Sequence, residues 1–479
     1  MKTFWTLLAV TIALLGVARR PERKHAKAAT TARPASQRMN VLLITIDTLR
    51  ADHLGTYGYR RKTSPHIDAL AAQGTVFEQA YTYLPKTRGS FVMIMTGRRP
   101  SQNGYSKKNP GVVGCNTTLA GALKEAGYVT AAVVDNLNVA AQHGYDNGFD
   151  RYRETWKEIE PFEKEMERSR LITEDAVRFL ENPPADRPFF LWLHYVNPHA
   201  PYTPPPPFDT KFLDEESNAG PVLGAVKGYR GGVREEWEVR GKRLGYYVAQ
   251  YDGEIAAVDQ EVGTVLDALG RSPAGTNTMV VLTSDHGESL GEHDYYFDHG
   301  EDVHDPCLRI PLVMKIPGVP PGARSRALAS TVDLLPTILN ATKVALPPDL
   351  AGRSLLAEAA GQDSASDRTL FAENEHHHVA TFDSRLKTLA IPDDAQGWRY
   401  SLYDRSVDPG ETRDLSRSAS DSLRVGRREL ELAFDRWEQE WRVTRRRCEG
   451  APPPSKMSPE DCERLRNMGY TGVPGCENY

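Results

Sequence analysis

Two strand-like segments of the sequence end in side chains that could bind one metal ion together. NVLLITID ends in Asp47, and TMVVLTS is followed directly by Asp285 and His286. Both segments are nearly continuous β-branched and leucine runs, which are typical of strands buried on both faces of a parallel sheet. A lone Asp after a strand is often a helix cap. Two carboxylates and one imidazole at neighbouring strand ends instead predict a site for a divalent cation.

A threonine in a third segment could complete this set. Thr87 lies in YLPKTRGSFVMIMTGRRP, where a loop passes into an apolar helical stretch. One interpretation is structural, because threonine is a favoured N-cap whose hydroxyl accepts a hydrogen bond from the first helical turn. The other is chemical, because a nearby cation would lower the pKa of the hydroxyl and make it a nucleophile. The segment alone leaves both interpretations open.

The elements that must position these residues are those of a large α/β protein. The chain has 479 residues, 40% of them hydrophobic, and a formal net charge of −5, which argues against a nucleic-acid-binding surface. Apolar stripes of helical spacing, such as Tyr251 to Leu269, alternate with buried runs. The runs are Asn40 to Asp47, Tyr128 to Val134, Phe189 to Tyr195, Thr278 to Ser284 and Ile310 to Ile316.

This alternation predicts a doubly wound, mostly parallel α/β domain over 39–345. Residues 203–243 are rich in proline, glycine and charge, which predicts a surface insertion. Shorter segments over 346–445 predict a smaller C-terminal α+β subdomain, followed by a tail over 446–479 with one short helix.

The termini carry a second set of expectations. Residues 1–18 are apolar after Lys2 and predict a secretory signal or an N-terminal membrane anchor. The basic segment 19–38 predicts a disordered linker that could touch anionic lipid if the anchor is retained. We therefore expect an exported protein, periplasmic or extracellular, or one tethered to a membrane. Of five cysteines, Cys448, Cys462 and Cys476 cluster near the end, so one bridge there is conceivable, and Cys307 is expected to be a buried apolar residue.

Ordered sequence blocks resemble the sulfatase family of the alkaline phosphatase superfamily. The resemblance runs from residue 40 to about residue 415. It is carried by DTLRADHLGTYGY, TSPHIDALAAQGTVFEQAY, TGR, LHYVNPHAPY, SDHGESLGEH, PCLRIPLVMKIPG, VDLLPT and LYDRSVDPGETRDL. The family implies a doubly wound α/β fold in which a metal-bound nucleophile attacks a sulfate or phosphate ester.

The resemblance also assigns roles by motif. Asp47, Asp285 and His286 fall on metal-ligand positions, and Thr87 falls on the position of the nucleophile, where it would also be a metal ligand. His199 and His299 fall where the family keeps residues that bind ester oxygens or protonate the leaving group, and Arg50 is a further catalytic candidate. One divalent ion is expected. The imidazole ligand favours Mn or Zn, with Ca as the remaining candidate.

Four departures from the family pattern bear on the reaction. Thr87 stands where sulfatases have the cysteine or serine that is oxidised to formylglycine, Gly89 replaces a proline, Phe91 replaces an arginine, and Thr48 replaces a second acid. The Asp, Thr, Asp, His set instead resembles phosphoglycerol and phosphoethanolamine transferases and lipoteichoic acid synthases.

These departures favour phosphoryl-type hydrolysis or transfer on a small-molecule, lipid or glycan ester. The alternatives are a sulfatase that works without formylglycine and an inactive relative that serves as a binding module. The sequence predicts no oligomeric state.

Overall fold

The computed structural model describes residues 38–106, 109–159, 165–223, 226, 230–232, 241–362, 368–374, 376–393, 397–449, 459 and 462–463. The predicted signal or anchor over 1–18, nearly all of the linker and most of the tail with its short helix lie outside these residues. Among the helices that are described, none combines the length and apolar character needed to cross a membrane.

A large, mostly parallel sheet forms the centre of the described structure. The strands of this part of the chain are β1 (Asn40–Ile46), β2 (Thr75–Tyr81), β3 (Val129–Val134), β4 (Arg151–Glu154), β5 (Phe189–Tyr195), β6 (Arg230–Gly231), β7 (Thr278–Thr283), β8 (Ser289–Leu290), β9 (Tyr295–Asp298), β10 (Arg309–Ile310), β11 (Leu312–Lys315) and β12 (Ala323–Ser330). The order in the central sheet is β10-β2-β11-β7-β1-β5-β3-β4, and β12 pairs with β2. Strands β6, β9 and β8 form a separate three-stranded sheet.

Helices and loops cover both faces of the central sheet, and each face has its own apolar core. The helices are α1 (Pro65–Ala72), α2 (Thr87–Thr96), α3 (Pro100–Asn103), α4 (Leu119–Glu125), α5 (Glu165–Glu181), α6 (Phe208–Lys211), α7 (Leu244–Arg271), α8 (Asp305–Leu308), α9 (Leu334–Ala341), α10 (Leu356–Ala359) and α11 (Ser420–Arg447). Residues of β1 alternate between the two cores, as the period of a strand requires. The predicted doubly wound α/β class is confirmed.

A second, antiparallel sheet follows in the C-terminal part of the chain. It contains β13 (Leu370–Glu373), β14 (Val379–Phe382), β15 (Leu386–Asp393) and β16 (Gly397–Asp404) in sequential order. Helix α11 packs on it through Leu430, which is buried against Val379 and Ala390. The antiparallel sheet and the one long helix that packs on it agree with the α+β class predicted for this region.

Two strand predictions need correction. The run Ile310 to Ile316 is not one strand, because Pro311 separates β10 from β11, and both strands run antiparallel to β2. Proline has no N–H to donate to the ladder, which explains the break. Strands β2 and β12 were not predicted, because charged and polar residues interrupt their apolar runs.

One disulfide joins two parts of the chain that are far apart in sequence. It does not contradict the prediction of a bridge within the tail, because Cys476 lies outside the described residues. Cys448, at the end of α11, pairs with Cys115 in the loop before α4, 333 residues earlier. The bridge therefore fastens the C-terminal helix to the α/β domain. Cys462 is also disulfide-bonded, and Cys307 is a buried free thiol, as predicted.

Candidate active site

The side chains predicted to hold a cation converge at the carboxyl ends of β1 and β7. One ligand atom from each of Asp47, Asp285 and His286 lies within 4.8 Å of the others. The hydroxyl of Thr87 lies 3.2 Å from His286 Nε2, which is itself 3.3 Å from Asp285 Oδ2. All four residues are buried. The structure thus brings the four predicted ligands together, while their binding of a metal stays a prediction.

The sheet register explains why residues so distant in sequence meet. Strand β1 pairs in parallel with β7, with Thr45 opposite Thr283. Asp47 and Asp285 each lie two residues further along, where both strands end at the same edge of the sheet. Thr48 then turns the chain with a φ of 52°, a conformation that is rare for a β-branched residue. Such strain is found mainly at functional sites, and here its N–H points to Asp285 Oδ1 at 3.3 Å.

Helix α2 brings the threonine to the same place. Thr87 is the first helical residue, and Lys86 occupies the N-cap without a side-chain cap bond, so the structural interpretation of Thr87 as an N-cap is wrong. Ser90, one turn later, donates a hydrogen bond to the carbonyl of Asp285 at 2.7 Å, which ties α2 to the end of β7. Phe91 is fully buried with its ring edge against His194, so this position contributes packing and no cation.

The donor set fits a divalent cation. Asp47 Oδ1 and Asp285 Oδ2 are buried and have no hydrogen-bond partner among the described residues, and a buried carboxylate needs a counter-charge. Burial first, and then the charge of Asp47, raise the pKa of Asp285 to about 6. Burial would also raise the pKa of Asp47, but His194, His199 and His286 outweigh it and lower that pKa. A divalent cation would supply the positive charge that these two carboxylate oxygens need.

Two further predicted residues lie beside this group. The ring of His299 lies 4.1 Å from the ring of His286 and 5.2 Å from that of His199, measured between centroids. His199 Nδ1 contacts the carbonyl of Ala200 at 2.6 Å, which directs Nε2 away from its own loop. Burial lowers the pKa of His199, and burial with His286 and His199 holds the pKa of His299 well below its usual value. Both imidazoles are therefore predominantly neutral near pH 7.

Arg50 is placed differently. Its guanidinium donates two hydrogen bonds to Asp52 and one to Glu292, and a fourth to the carbonyl of Glu288 at 3.1 Å. These bonds hold the loop that follows β7 against the loop that follows β1. The described contacts are those of a residue that supports the site.

The loop that carries His199 is held by a buried glutamate. Glu254 in α7 accepts hydrogen bonds from the Asn197 side chain and from Thr203 N, one on each side of His199. Burial raises the pKa of Glu254 to about 7. A raised carboxyl pKa means that the folded state keeps the proton to higher pH than the unfolded state, so stability falls as the pH rises from about 4.5 to 7.

We therefore expect Glu254→Gln to be stabilised relative to the wild type at pH 8 and not at pH 4.5. The gain should be on the order of 1–3 kcal/mol. Denaturant unfolding at the two pH values measures it. Asp267→Asn, an exposed change on the same helix, is the control and should show no such gain. Equal effects of Glu254→Gln at both pH values would contradict the assignment.

Four residues of the site were not singled out for it by sequence reasoning. Asn136 donates a hydrogen bond to Asp47 Oδ2, and Asn138 accepts one from Arg88 Nε at 2.9 Å. His194 Nε2 lies 3.7 Å from Asp47 Oδ2, and Glu288 lies beside His299. Three of them carry a sequence signal, since Asn136 and Asn138 lie two and four residues after the end of β3 and His194 is the penultimate residue of β5.

Comparison with known proteins agrees with this architecture. The Sulfatase family model matches residues 39–344, and the model described as N-sulphoglucosamine sulphohydrolase, C-terminal, matches residues 291–428. The chain belongs to the sulfatase family. It is thus a member of a family of metal-dependent ester hydrolases, and it carries a possible metal-binding cluster at the expected place.

Relatives of this sulfatase-family protein have several specificities. An N-acetylglucosamine-6-O-sulfatase of Bacteroides thetaiotaomicron is 23% identical, over 81% of this chain and 85% of its own. A solved 2-O GAG sulfatase superposes with a TM-score of 0.69 at 24% identity, over 88% and 99% of the two chains. A phosphonate monoester hydrolase of Agrobacterium radiobacter gives a TM-score of 0.68 at 20% identity, over 84% and 96%. At these identities the solved structures show the fold alone.

A second group of possible metal ligands in this sulfatase-family chain fits a cation less well than the first group. His293, His304 and Glu411 also lie within 4.8 Å of one another. The two imidazole rings stack 3.7 Å apart at an angle of 12°, so an ion could not lie in both ring planes. Glu411 is already bound by the Lys387 ammonium at 2.8 Å. We interpret this group as part of the contact between the α/β domain and the antiparallel sheet.

Proposed function

We propose that the protein cleaves phosphate esters through Thr87, as a hydrolase or as a transferase. The observation that carries this proposal is the position of the Thr87 hydroxyl, 3.2 Å from His286 Nε2 and at the start of α2. Threonine offers one hydroxyl only. It lacks the second geminal hydroxyl with which a hydrated formylglycine expels sulfate, whereas a phosphorylated threonine can be released by water or by an acceptor alcohol.

The residues divide the work of the reaction as follows. Thr87 Oγ1 attacks phosphorus in line, the Oγ1–P bond forms, and the bond from phosphorus to the ester oxygen breaks. The Thr87 hydroxyl gives up one proton and the departing oxygen takes up one proton. His299 lies beside both His286 and His199, and a neutral imidazole there can accept the hydroxyl proton and pass it to the departing oxygen. Asp47, Asp285 and His286, with Thr87, would hold one divalent cation. When bound, the cation supplies positive charge that stabilises the attacking oxygen and the ester oxygens.

The first turn of α2 adds to this charge. Its N–H groups point along the helix axis toward the site, and a helix N-terminus favours an anion. Asn138 fixes the Arg88 side chain, and Tyr145 donates a hydrogen bond to the Arg88 carbonyl at 2.6 Å. These bonds keep Thr87 at a fixed depth in the site.

A panel of esters tests the proposal. An aryl phosphate, an aryl phosphodiester and an aryl sulfate with the same leaving group should be tested, each with Mn, Zn and Ca. We expect a phosphate ester to be cleaved fastest, and Mn or Zn to support more activity than Ca. Much faster cleavage of the sulfate would overturn the phosphoryl assignment. No turnover of any ester would favour an inactive relative that serves as a binding module.

Sulfate ester hydrolysis without formylglycine is the second candidate. It is supported by the relatives, because the first of the compared proteins is a sulfatase acting on a sugar sulfate. We therefore propose a small-molecule, lipid or glycan ester as the substrate class. The Cys115–Cys448 disulfide supports action in an oxidising compartment, which agrees with the expected export.

A further inference from the structure

A buried glutamate lies next to one of the site histidines. Glu288 is 1% exposed, and within the described part of the chain neither oxygen of its carboxyl group has a hydrogen-bond partner. Its nearest ionisable contact is His299, with 3.5 Å between Glu288 Oε2 and His299 Nδ1. Burying a carboxyl group without partners is costly, and such groups are rare in folded proteins unless they have a task.

The surrounding residues do not account for Glu288. Arg50 contacts this loop, but its guanidinium donates a hydrogen bond to the backbone carbonyl of Glu288 and not to the carboxyl group. Its salt bridges are with Asp52 and Glu292. The carboxyl group therefore faces the imidazole and not the arginine. A side-chain rotation that shortens the distance between Glu288 Oε2 and His299 Nδ1 by a few tenths of an ångström would form a hydrogen bond. Such bonds at active sites often tighten only when substrate binds.

The backbone of His299 is held independently of its ring. Tyr295 donates a hydrogen bond to the His299 carbonyl at 2.8 Å, and the His299 N–H donates to Asp298 Oδ1 at 2.7 Å. These bonds hold the backbone of His299 and do not involve its imidazole, which packs against the rings of His286 and His199. A carboxyl group at Nδ1 adds a directional contact that selects which ring nitrogen carries the proton, as the acidic partner does in other carboxyl–histidine pairs.

We propose that Glu288 is a positioning residue that engages His299 Nδ1 and thereby assigns proton exchange with the departing ester oxygen to His299 Nε2. This inference rests on the proposed function. It adds a carboxyl–histidine pair to the site, with Glu288 acting only through His299. The contribution of the pair depends on how much the departing oxygen needs a proton.

Leaving-group dependence tests this role. With 4-nitrophenyl phosphate the departing oxygen is a stable anion and needs little help, whereas with phenyl phosphate it needs a proton. We expect Glu288→Ala to lower kcat about 100-fold for phenyl phosphate and less than about 5-fold for 4-nitrophenyl phosphate, with KM little changed. Glu288→Gln should recover part of the loss, because its carbonyl can still accept a hydrogen bond from Nδ1–H.

A double-mutant cycle with His299 separates positioning from general support. In the His299→Ala background, Glu288→Ala should lower kcat less than about 2-fold further, because the residue through which it acts is gone. Asp302→Asn is the matched control. It alters another buried carboxyl–histidine pair, Asp302 with His304 at 2.6 Å, and should affect both substrates equally.

The outcomes are distinct. Equal losses on both substrates, or full additivity with His299→Ala, would overturn the role of Glu288 while leaving the proposed function intact. A wild-type protein that cleaves neither phosphate would overturn both. If Glu288→Ala unfolds, the isosteric Glu288→Gln carries the comparison, and equal losses in that variant would count against the pair.

Discussion

Thr87→Ala is expected to lower kcat by about 10³-fold or more while the protein keeps its fold. The loss follows from the proposed mechanism, because alanine lacks the oxygen that would attack phosphorus, and deletion of a nucleophile typically costs several orders of magnitude. Stability should change little, since Thr87 does not cap α2 and its side-chain contact among the described residues is with the His286 ring, not with the backbone. Steady-state kinetics on the best ester of the panel, together with thermal unfolding, measure both effects.

Two variants make this experiment decisive. Thr87→Ser restores the same oxygen and should retain part of the phosphate ester activity. Thr96→Ala is the matched control, because Thr96 is a buried threonine at the other end of α2 whose hydroxyl bonds the Val92 carbonyl. That variant should lose stability but little activity. If Thr87→Ala remained as active as the wild type, Thr87 would not be the nucleophile.

The same segment allows a test of whether formylglycine chemistry could be introduced at this site. A Thr87→Cys variant, coexpressed with a formylglycine-generating enzyme, should gain little sulfatase activity. Phe91 occupies the position of the arginine that would hold the aldehyde, and it is fixed by contacts with Trp192 and His194 in the core. A single substitution at Thr87 does not rebuild that arginine. The replacement of the family arginine by Phe91 is therefore supported by core packing around the Phe91 ring.

The sequence predicts the centre of this site well because the sheet register is nearly determined by the apolar runs. Once β1 and β7 are assigned as neighbouring parallel strands, Asp47 and Asp285 must lie at one edge. The eight family blocks then place Thr87, His199 and His299 in order. The buried strand runs, the helical stripes between them and the acids that follow the strands all indicate the same parallel α/β arrangement. For this reason the centre of the site can be predicted from one sequence.

The remainder depends on long-range packing that no local pattern reveals. The Cys115–Cys448 bridge joins residues 333 positions apart, so no local spacing of cysteines indicates it. Asn136 was missed because its partner, Asp47, lies two strands away in the sheet. Glu288 belongs to a quoted motif, but only burial and the 3.5 Å contact with His299 distinguish it from an ordinary charged loop residue.

Removal of divalent metal is expected to abolish turnover and to make stability pH-dependent. Asp285 has a pKa raised to about 6 by burial and by the Asp47 charge. In the metal-free protein, a raised carboxyl pKa means that the folded state holds the proton more tightly than the unfolded state. Its stability is therefore greatest below about pH 4 and falls as the pH rises through 6. A bound cation should remove this dependence, because it replaces the proton as the counter-charge.

Thermal unfolding of chelated and metal-loaded protein at pH 5 and pH 8 measures this difference. At pH 5, we expect a metal concentration 100 times Kd to stabilise the protein by about 3 kcal/mol. The same metal concentration should stabilise it more at pH 8, because protons no longer compete with the metal for Asp285. Asp285→Asn should stabilise the chelated protein at pH 8, because it removes one of two facing carboxylates, and should abolish the gain from metal.

A second buried carboxylate supplies the matched control for this last test. Asp259 in α7 also has a pKa raised to about 6 by burial, but it accepts N–H bonds from His66 and Ile67 away from the site. Asp259→Asn should change the pH dependence equally in chelated and loaded protein and should leave metal binding intact. If Asp285→Asn behaved in the same way, or if the chelated wild type kept full activity, Asp285 would not be a metal ligand. A difference between the two variants that appears only when metal is added would assign the cation to the group of Asp47, Thr87, Asp285 and His286.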